Sequence, residues 1–394
     1  MTDVASPSAI GAGLDVSPLF QPLKISQFVL PNRIVMAPMT REFAPGGIQG
    51  PEAAEYYARR AAGGAGLIIT EGTAVGHPVA HHTSKVPHFY GERALNAWKV
   101  VADRVHTAGG RIFPQLWHTG LYRLRDETDN PEEPNIAPSV VGKTKPRAME
   151  KKDIDEVISA FATAAGEAKR LKFDGVAIHG AHGYLIDQFL WHRTNRRTDS
   201  YGGSLENRVR FGVELVRAIR TTVGADFPIL LRFSQWKGSM YGQELATNPV
   251  DLEQILVPFA DAGVDIFDAS MRRFWLPEFD GSPLNLAGWA KKLTGKLAMA
   301  VGSVGLEGTL DAARVSEQSA AAVTQANLGA LVEMMERGDF HLVGAGRILL
   351  ANPRWPQFVA SGRFDALKPY DPQRTSLMLE PSFPDDWPGM PTAG

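Results

Sequence analysis

The chain has 394 residues, of which 44% are hydrophobic and 21% are charged, and its formal net charge is −2 at pH 7. This is a globular composition, and the near balance of charge argues against a nucleic-acid surface or a polybasic membrane patch. The chain has no cysteine, which excludes disulfide bonds, thiolate metal ligands and a cysteine nucleophile. The first fifteen residues lack a signal-peptide pattern, and no window approaches the roughly 18 apolar residues of a membrane span. We therefore expect a soluble, cytoplasmic protein.

Short apolar runs alternate with longer amphipathic stretches along the chain. We predict buried strands at 33–37, 66–70, 111–116, 175–178, 229–233, 265–269, 297–301 and 341–344. Helical periodicity is clear at 154–171 and at 205–219, where Ser204 is a suitable N-cap and Gly224 a suitable stop. Eight strand–helix units indicate the α/β class and fit a (β/α)8 TIM barrel better than an open doubly wound sheet.

The predicted barrel is a single domain that spans residues 18–369, with loop excursions at its mouth. Residues 1–17 are interpreted as an N-terminal extension. Residues 370–394 are interpreted as a Pro-rich C-terminal tail that covers the barrel or extends as an arm. The Pro-rich stretch 131–138 lies between the third and fourth strands, and a long insertion at a barrel mouth is commonly a lid or a binding loop.

Polar and small residues cluster at the carboxyl ends of the predicted strands, where (β/α)8 barrels place their active sites. In the order of the first five strands, these residues are Pro38, Met39 and Thr40; Gly72; Gln115 and Trp117; His179, His182 and Tyr184; and Arg232. A random scatter of such residues would not favour one end of the strands so consistently. We therefore predict an active site at this end.

Small residues also follow the seventh and eighth strands, where barrels often bind phosphate through backbone N–H groups. These are Gly302, Ser303 and Gly346, and Arg347 could add a charge-assisted contact. Position 349 is Leu, so this stretch is not a dinucleotide fingerprint. A phosphate site of this kind suits FMN better than a dinucleotide.

Four motifs resemble those of the old yellow enzyme family. They are NRIVMAPMTR at 32–41, QLWH at 115–118, HGAHGYLIDQFL at 179–190 and TDSYGGSLENR at 198–208. The resemblance runs in order from about residue 19 to residue 353. It implies an ene-reductase with non-covalent FMN, in which NAD(P)H reduces the flavin. Hydride would then pass to the β-carbon of an α,β-unsaturated carbonyl or nitro compound, a small electrophilic molecule. A monomer or homodimer is expected.

The resemblance also implies roles for residues around the flavin. Pro38, Met39 and Thr40 would flank it, and Gly72 and Gln115 would bond its pyrimidine edge. Arg232 would lie near N1 and O2 and stabilise negative charge there. The phosphate would be held by Gly302, Ser303, Gly346 and Arg347.

For the substrate, the resemblance implies that His179 and His182 donate hydrogen bonds to the carbonyl or nitro oxygen. Tyr184 would protonate the α-carbon, and Trp117 would shape the acceptor pocket. Many relatives have Asn in place of His182. The segment 270–279 is bulkier than usual and resembles only a bacterial subset similar to oxophytodienoate reductases, so Trp275 within it is a candidate for narrowing the pocket or contacting NAD(P)H.

Several alternatives stay open at this point. The same site could serve a nitroester or nitroaromatic reductase, or an FMN-binding protein without turnover. A metal-dependent barrel hydrolase would use His179 and His182, but their spacing is not that of a His-Glu-x-x-His helix and no third ligand is evident, so we predict no metal. The histidines at 77, 81, 82 and 88 lack regular ligand spacing and are interpreted as surface or rim residues. A dienoyl-CoA-type reductase is disfavoured by the absence of cysteine.

Overall fold

The computed structural model describes residues 14–142, 145–238, 240, 242–306, 320–373 and 379, and only the backbone of residues 320–326. The strands in this part of the chain are β1 (Leu23–Ile25), β2 (Phe28–Leu30), β3 (Ile34–Met36), β4 (Leu67–Ala74), β5 (Arg111–Trp117), β6 (Ile136–Ala137), β7 (Arg147–Ala148), β8 (Val176–His179), β9 (Ile229–Phe233), β10 (Ile266–Ser270), β11 (Leu297–Val301) and β12 (Leu342–Ala345). The helices are α1 (Pro51–Ala62), α2 (Glu92–Thr107), α3 (Lys151–Arg170), α4 (Leu185–Leu190), α5 (Leu205–Val223), α6 (Pro249–Ala262), α7 (Leu286–Thr294), α8 (Ala320–Glu336), α9 (Arg347–Ala351) and α10 (Trp355–Ala360).

Eight of these strands close into a parallel barrel. Their order around the barrel is β3, β4, β5, β8, β9, β10, β11 and β12, and β12 pairs with β3. Each barrel strand is followed by at least one helix, so the (β/α)8 TIM barrel is confirmed. All eight predicted barrel strands are present, most of them within a few residues of their expected bounds.

The predicted ends of α5 are also confirmed. The Ser204 side chain accepts a hydrogen bond from the backbone N–H of Asn207, as an N-cap does. Gly224 follows the last turn with φ of 81°, a left-handed value that glycine adopts at low cost. These two residues fix the length of the helix that packs outside β8 and β9.

A short hairpin closes the amino-terminal end of the barrel. Strands β1 and β2 pair antiparallel, and their residues Ile25 and Leu30 pack into the same buried cluster as the side chains that fill the barrel. That cluster includes Val35, Leu67 and Phe113. A larger cluster lies between the barrel and its helices. Because the hairpin covers one end, the carboxyl ends of the strands form the accessible mouth.

The connection between β5 and β8 is the largest described excursion at that mouth. It contains the Pro-rich stretch 131–138 and the short parallel pair β6–β7, in which Ile136 faces Arg147. Near the chain ends, Tyr370 and Pro372 reach the mouth, and the Leu379 carbonyl accepts a hydrogen bond from Arg41. The rest of the predicted tail lies outside the described residues. Across the described parts of the chain, no helix has the length and apolar character that crossing a membrane requires.

Candidate active site

A cavity of about 630 Å³ opens at the carboxyl ends of the barrel strands. This volume lies within the usual range for cofactor and small-molecule sites. Its lining includes nine of the residues predicted from the sequence: Pro38, Met39, Thr40, His182, Arg232, Gly302, Ser303, Gly346 and Arg347. Predicted residues outside its lining are Gly72, Gln115, Trp117, His179, Tyr184 and Trp275.

The barrel register places a polar layer next to this cavity. His179 at the end of β8 pairs with Arg232 on β9, and Arg232 pairs with Asp268 on β10. Arg232 Nε donates to Asp268 Oδ2 at 2.6 Å, with both side chains buried. Arg232 Nη2 is buried without a hydrogen-bond partner among the described residues. The guanidinium is therefore held by Asp268 through Nε, while Nη2 is left as a spare hydrogen-bond donor.

Gln115 provides a second spare donor. It lies on β5 opposite Gly72 of β4, and its Nε2 atom is buried without a partner among the described residues. Buried polar atoms are normally hydrogen-bonded, so an unpartnered amide in a native site indicates a missing ligand or water. The pairing of Gly72 with Gln115 puts both predicted pyrimidine contacts side by side.

The small residues after β11 and β12 leave room at the other end of the cavity. A β-carbon on Gly302 would lie 2.7 Å from the Met271 carbonyl oxygen, so this position admits only glycine without a shift. Ser303 adopts φ of 55° and its hydroxyl donates to the Arg272 carbonyl. Strained backbone of this kind clusters at functional sites. With the spare donors of Gln115 and Arg232, these features fit an FMN-sized ligand with a phosphate at this end.

His179, His182, Tyr184 and Trp117 form one aromatic cluster beside the cavity. The His179 ring lies 4.8 Å from the Tyr184 ring and 5.1 Å from the His182 ring, measured between centroids. It also stacks on Trp117 at 5.8 Å. The Nδ1 atom of His179 is buried without a hydrogen-bond partner among the described residues, so it is available to a ligand. The cluster thus brings together the three residues predicted to be catalytic, which are His179, His182 and Tyr184.

Burial determines the protonation of these groups. It lowers the pKa of His179 well below its ordinary value, and the Arg232 charge lowers it further. Burial also lowers the pKa of His182, with contributions from His179, Arg232 and Lys237. Burial raises the pKa of Tyr184 to about 12. At neutral pH the imidazoles are therefore uncharged, each with one N–H donor, and the phenol keeps its proton.

Residues 18–274 match the NADH:flavin oxidoreductase / NADH oxidase family. The chain belongs to that family. It is 44% identical over 225 residues to 12-oxophytodienoate reductase 7 of Oryza sativa subsp. japonica, an alignment that covers 53% of this chain and 57% of the relative. The chain spans between 52% and 65% of the length of four curated relatives that it matches.

Two solved structures share the complete fold. Morphinone reductase in complex with tetrahydroNAD superposes with a TM-score of 0.72 at 28% identity, covering 90% of this chain and 93% of that one. The old yellow enzyme homologue from Zymomonas mobilis gives 0.72 at 27% identity, covering 91% and 96%. The predicted resemblance to the old yellow enzyme family is thus confirmed. Family membership also supports the predicted cofactors, FMN and a nicotinamide donor.

Several cavity residues of this family member were not predicted from the sequence, among them Trp236, Ser270 and Glu42. Trp236 stacks on the His182 ring with centroids 4.1 Å apart, and Ser270 Oγ lies 2.8 Å from His182 Nε2. Glu42 has φ of 59°, and its carboxylate contacts His82 and Thr83. Ser270 could have been found as the end residue of the sixth strand. Trp236 and Glu42 lie in irregular segments that carry no periodic signal.

Two other expectations concern aromatic residues near the mouth. Trp275 packs edge to face against Phe274 with centroids 5.2 Å apart and contacts the outer core, so its predicted role in the pocket stays a prediction. His81 is only 4% exposed, and the interpretation of that residue as a surface histidine is wrong. The described residues contain no group of three or more His, Cys, Asp or Glu side chains that could hold a metal ion.

Proposed function

We propose that this protein is an FMN-dependent ene-reductase that acts on α,β-unsaturated carbonyl or nitro compounds. The observation that carries the proposal is the cluster in which His179, whose Nδ1 is buried without a partner among the described residues, contacts His182 and Tyr184. Two neutral hydrogen-bond donors and one phenol are what the polarisation and protonation of an activated double bond require.

When bound, FMN would supply hydride to the acceptor after reduction by NAD(P)H. The chain would hold the isoalloxazine through the spare donors of Gln115 and Arg232, with Gly72 at the same edge. Pro38, Met39 and Thr40 line the cavity on one side. Gly302, Ser303, Gly346 and Arg347 would hold the phosphate. The cation of Arg232, kept in place by Asp268, favours negative charge beside it.

His179 and His182 would bind the carbonyl or nitro oxygen of the acceptor. Hydrogen bonds from neutral imidazoles withdraw electron density from the conjugated double bond and stabilise the oxyanion that develops. Because burial holds both rings neutral, neither carries a positive charge whose burial would cost free energy before substrate arrives.

Tyr184 would deliver a proton to the α-carbon. Its pKa of about 12 keeps the hydroxyl protonated across the physiological range, and no described residue hydrogen-bonds that hydroxyl. General acid catalysis by a positioned side chain contributes roughly 10²–10⁴-fold to a rate. Trp117 contacts the Tyr184 ring edge to face at 4.8 Å and would keep the phenol in its pose.

An anaerobic titration tests the proposal. The purified protein should show a flavin spectrum, lose its colour with NAD(P)H, and regain it when cyclohexenone or maleimide is added. A colourless protein that takes up no added FMN would exclude the proposal. A yellow protein that is reduced but not reoxidised by any enone, maleimide or nitro compound would be a flavin-binding protein without this activity.

The same experiment addresses the class of acceptor. A reoxidation screen with an enone, a nitroalkene, a nitroester and a nitroaromatic compound separates alkene reduction from reduction of the nitro group. Products must be identified in each case, because loss of the nitro group and saturation of the double bond both restore flavin colour. We expect saturated carbonyl and nitro products.

A further inference from the structure

Asp187 and Lys237 form an ion pair in which neither side chain is exposed. Lys237 Nζ lies 2.7 Å from Asp187 Oδ1, and both side chains are completely buried. Removal of two charges from water costs free energy that their attraction often fails to recover, so a buried pair is weak support for stability. The other contacts of Asp187 and Lys237 indicate what the pair does besides any effect on stability.

Asp187 is bonded to the loop that carries His182, and Lys237 is bonded to the segment 234–238 that packs against this loop. Asp187 Oδ2 accepts a hydrogen bond from the backbone N–H of Gly183 at 2.7 Å. Lys237 also donates to the Ser234 carbonyl at 3.2 Å. Ser234 Oγ in turn accepts from the backbone N–H of His182 at 3.0 Å. The carbonyl of His182 accepts from the N–H of Gly238 at 2.9 Å.

The backbone of His182 requires this support. Its φ is 63°, a left-handed value that costs free energy for a residue with a β-carbon. Both of its backbone polar groups are bonded to the segment 234–238, and its ring stacks on Trp236 of the same segment. The pose of the ring therefore depends on Ser270 and on how that segment is fixed to the loop after β8. The ion pair contributes to the second of these.

We propose that Asp187 and Lys237 are a positioning pair that locks His182 in the pose required to bind the acceptor oxygen. The inference rests on the proposed function and adds to it the residues that determine how the acceptor is oriented. The pair does not touch the acceptor. It acts by fixing the segment 234–238 against the loop 182–184.

Phenol binding to the FMN-loaded protein measures the pose of His182 directly, because a phenolate resembles the enolate that the two histidines would stabilise. Lys237→Met should raise the phenol Kd, read from the flavin absorbance, by about tenfold or more, the equivalent of losing one or two hydrogen bonds. The KM for cyclohexenone should rise with it, while FMN stays bound. In the double variant D187N/K237M the Kd should match that of the single variant, because the pair acts as a unit.

Arg220→Met is the matched control. Arg220 pairs with Asp265 at 2.6 Å, near the amino ends of β9 and β10, so its loss should destabilise the barrel far from the cavity. Its thermal midpoint should fall, while its phenol Kd should change by less than about twofold, as expected for distant independent sites. This comparison separates positioning from general destabilisation.

Three results decide between the two proposals. If the unmodified protein binds FMN but neither phenol nor any acceptor, the proposed function fails. If it binds phenol and Lys237→Met binds it equally well, the positioning role is overturned. Should Lys237→Met not fold, Ser234→Ala tests the same connection with a smaller change. It removes the acceptor for the His182 N–H and the hydrogen bond that Ser234 Oγ donates to the Trp236 carbonyl, both of which belong to this connection. Unchanged phenol affinity in that variant would overturn the inference as well.

Discussion

Trp117 and Tyr184 meet edge to face, with ring centroids 4.8 Å apart, although Trp117 ends β5 and Tyr184 lies after β8. The contact leaves the Tyr184 hydroxyl free of hydrogen bonds to any described residue while the ring itself is fixed. A fixed phenol with an unused proton and a pKa of about 12 is suited to protonating carbon rather than to holding structure. Tyr184 also packs edge to face against Tyr122, with ring centroids 5.8 Å apart.

Replacement of Tyr184 tests this assignment. Tyr184→Phe removes the proton and keeps the ring, so we expect reoxidation by cyclohexenone to slow by about 10²-fold or more, while reduction by NAD(P)H stays nearly intact. Stopped-flow absorbance measures both half-reactions. Tyr122→Phe is the control, since Tyr122 contacts the same ring and is itself 37% exposed. Equal losses in the two half-reactions of Tyr184→Phe would remove this residue from proton donation.

The same pKa predicts a flat pH profile for this step. Because a pKa of about 12 keeps Tyr184 protonated at neutral pH, the rate of reoxidation by an enone should not decline through loss of this proton between about pH 6 and 9. The contrary result is a reoxidation rate that changes with pH within that range in the unmodified protein but not in Tyr184→Phe. It would show that the phenol ionises at a much lower pH than burial implies.

The pairing of Arg232 with Asp268 predicts a large cost for breaking it. Arg232→Met leaves Asp268 buried without its partner, and loss of one member of a buried ion pair typically destabilises a protein by about 3–5 kcal/mol. The double variant R232M/D268N should recover much of this stability in urea unfolding. FMN affinity should stay below that of the unmodified protein in both the single and the double variant, because both lack the guanidinium. Recovery of FMN binding in the double variant would show that Arg232 holds Asp268 rather than the flavin.

Gly72 and Trp117 make a second testable contact. A β-carbon at position 72 would lie 2.5 Å from Trp117 Cε3, and Trp117 is too buried to move freely. Gly72→Ala should cost about 1–3 kcal/mol as an overpacked core does, and displacement of the indole should weaken phenol binding. Gly329→Ala is the control: it lies in α8 with open space around its β-carbon and should be neutral or stabilising by about 0.5–1 kcal/mol. If Gly72→Ala and Gly329→Ala unfold at the same urea concentration, a β-carbon at position 72 does not clash with Trp117.

The barrel was predictable because its strands are short, mainly apolar runs separated by amphipathic helices. The hairpin β1–β2 and the pair β6–β7 were not predicted, since segments of two or three residues carry no usable period. At the site, residues at strand ends were placed by the barrel geometry alone. Asp187 and Lys237 could not be paired from the sequence, because they lie 50 positions apart and the segment around Lys237 is irregular. Trp236 could not be singled out from the sequence either, because it lies in the same irregular segment.

A buried histidine outside the reaction predicts acid sensitivity. Burial, with the nearby His88 and Arg123, lowers the pKa of His81 to about 4 from an ordinary value near 6.5, and neither of its ring nitrogens has a partner among the described residues. Between these two pH values the unfolded chain binds a proton that the folded protein does not. Stability should therefore be complete above about pH 6.5 and decline as pH falls toward 4.

Urea unfolding at pH 7 and at pH 4.5 measures this decline. After allowance for partial solvent screening, His81 should contribute roughly 1–2 kcal/mol to it. His81→Leu should reduce the difference between the two pH values by about that amount, because leucine fills a similar volume and cannot bind a proton. His341, whose pKa is also lowered to about 4 by burial, would still contribute, so part of the decline should persist. An unchanged decline in His81→Leu would mean that this imidazole is protonated without loss of the fold.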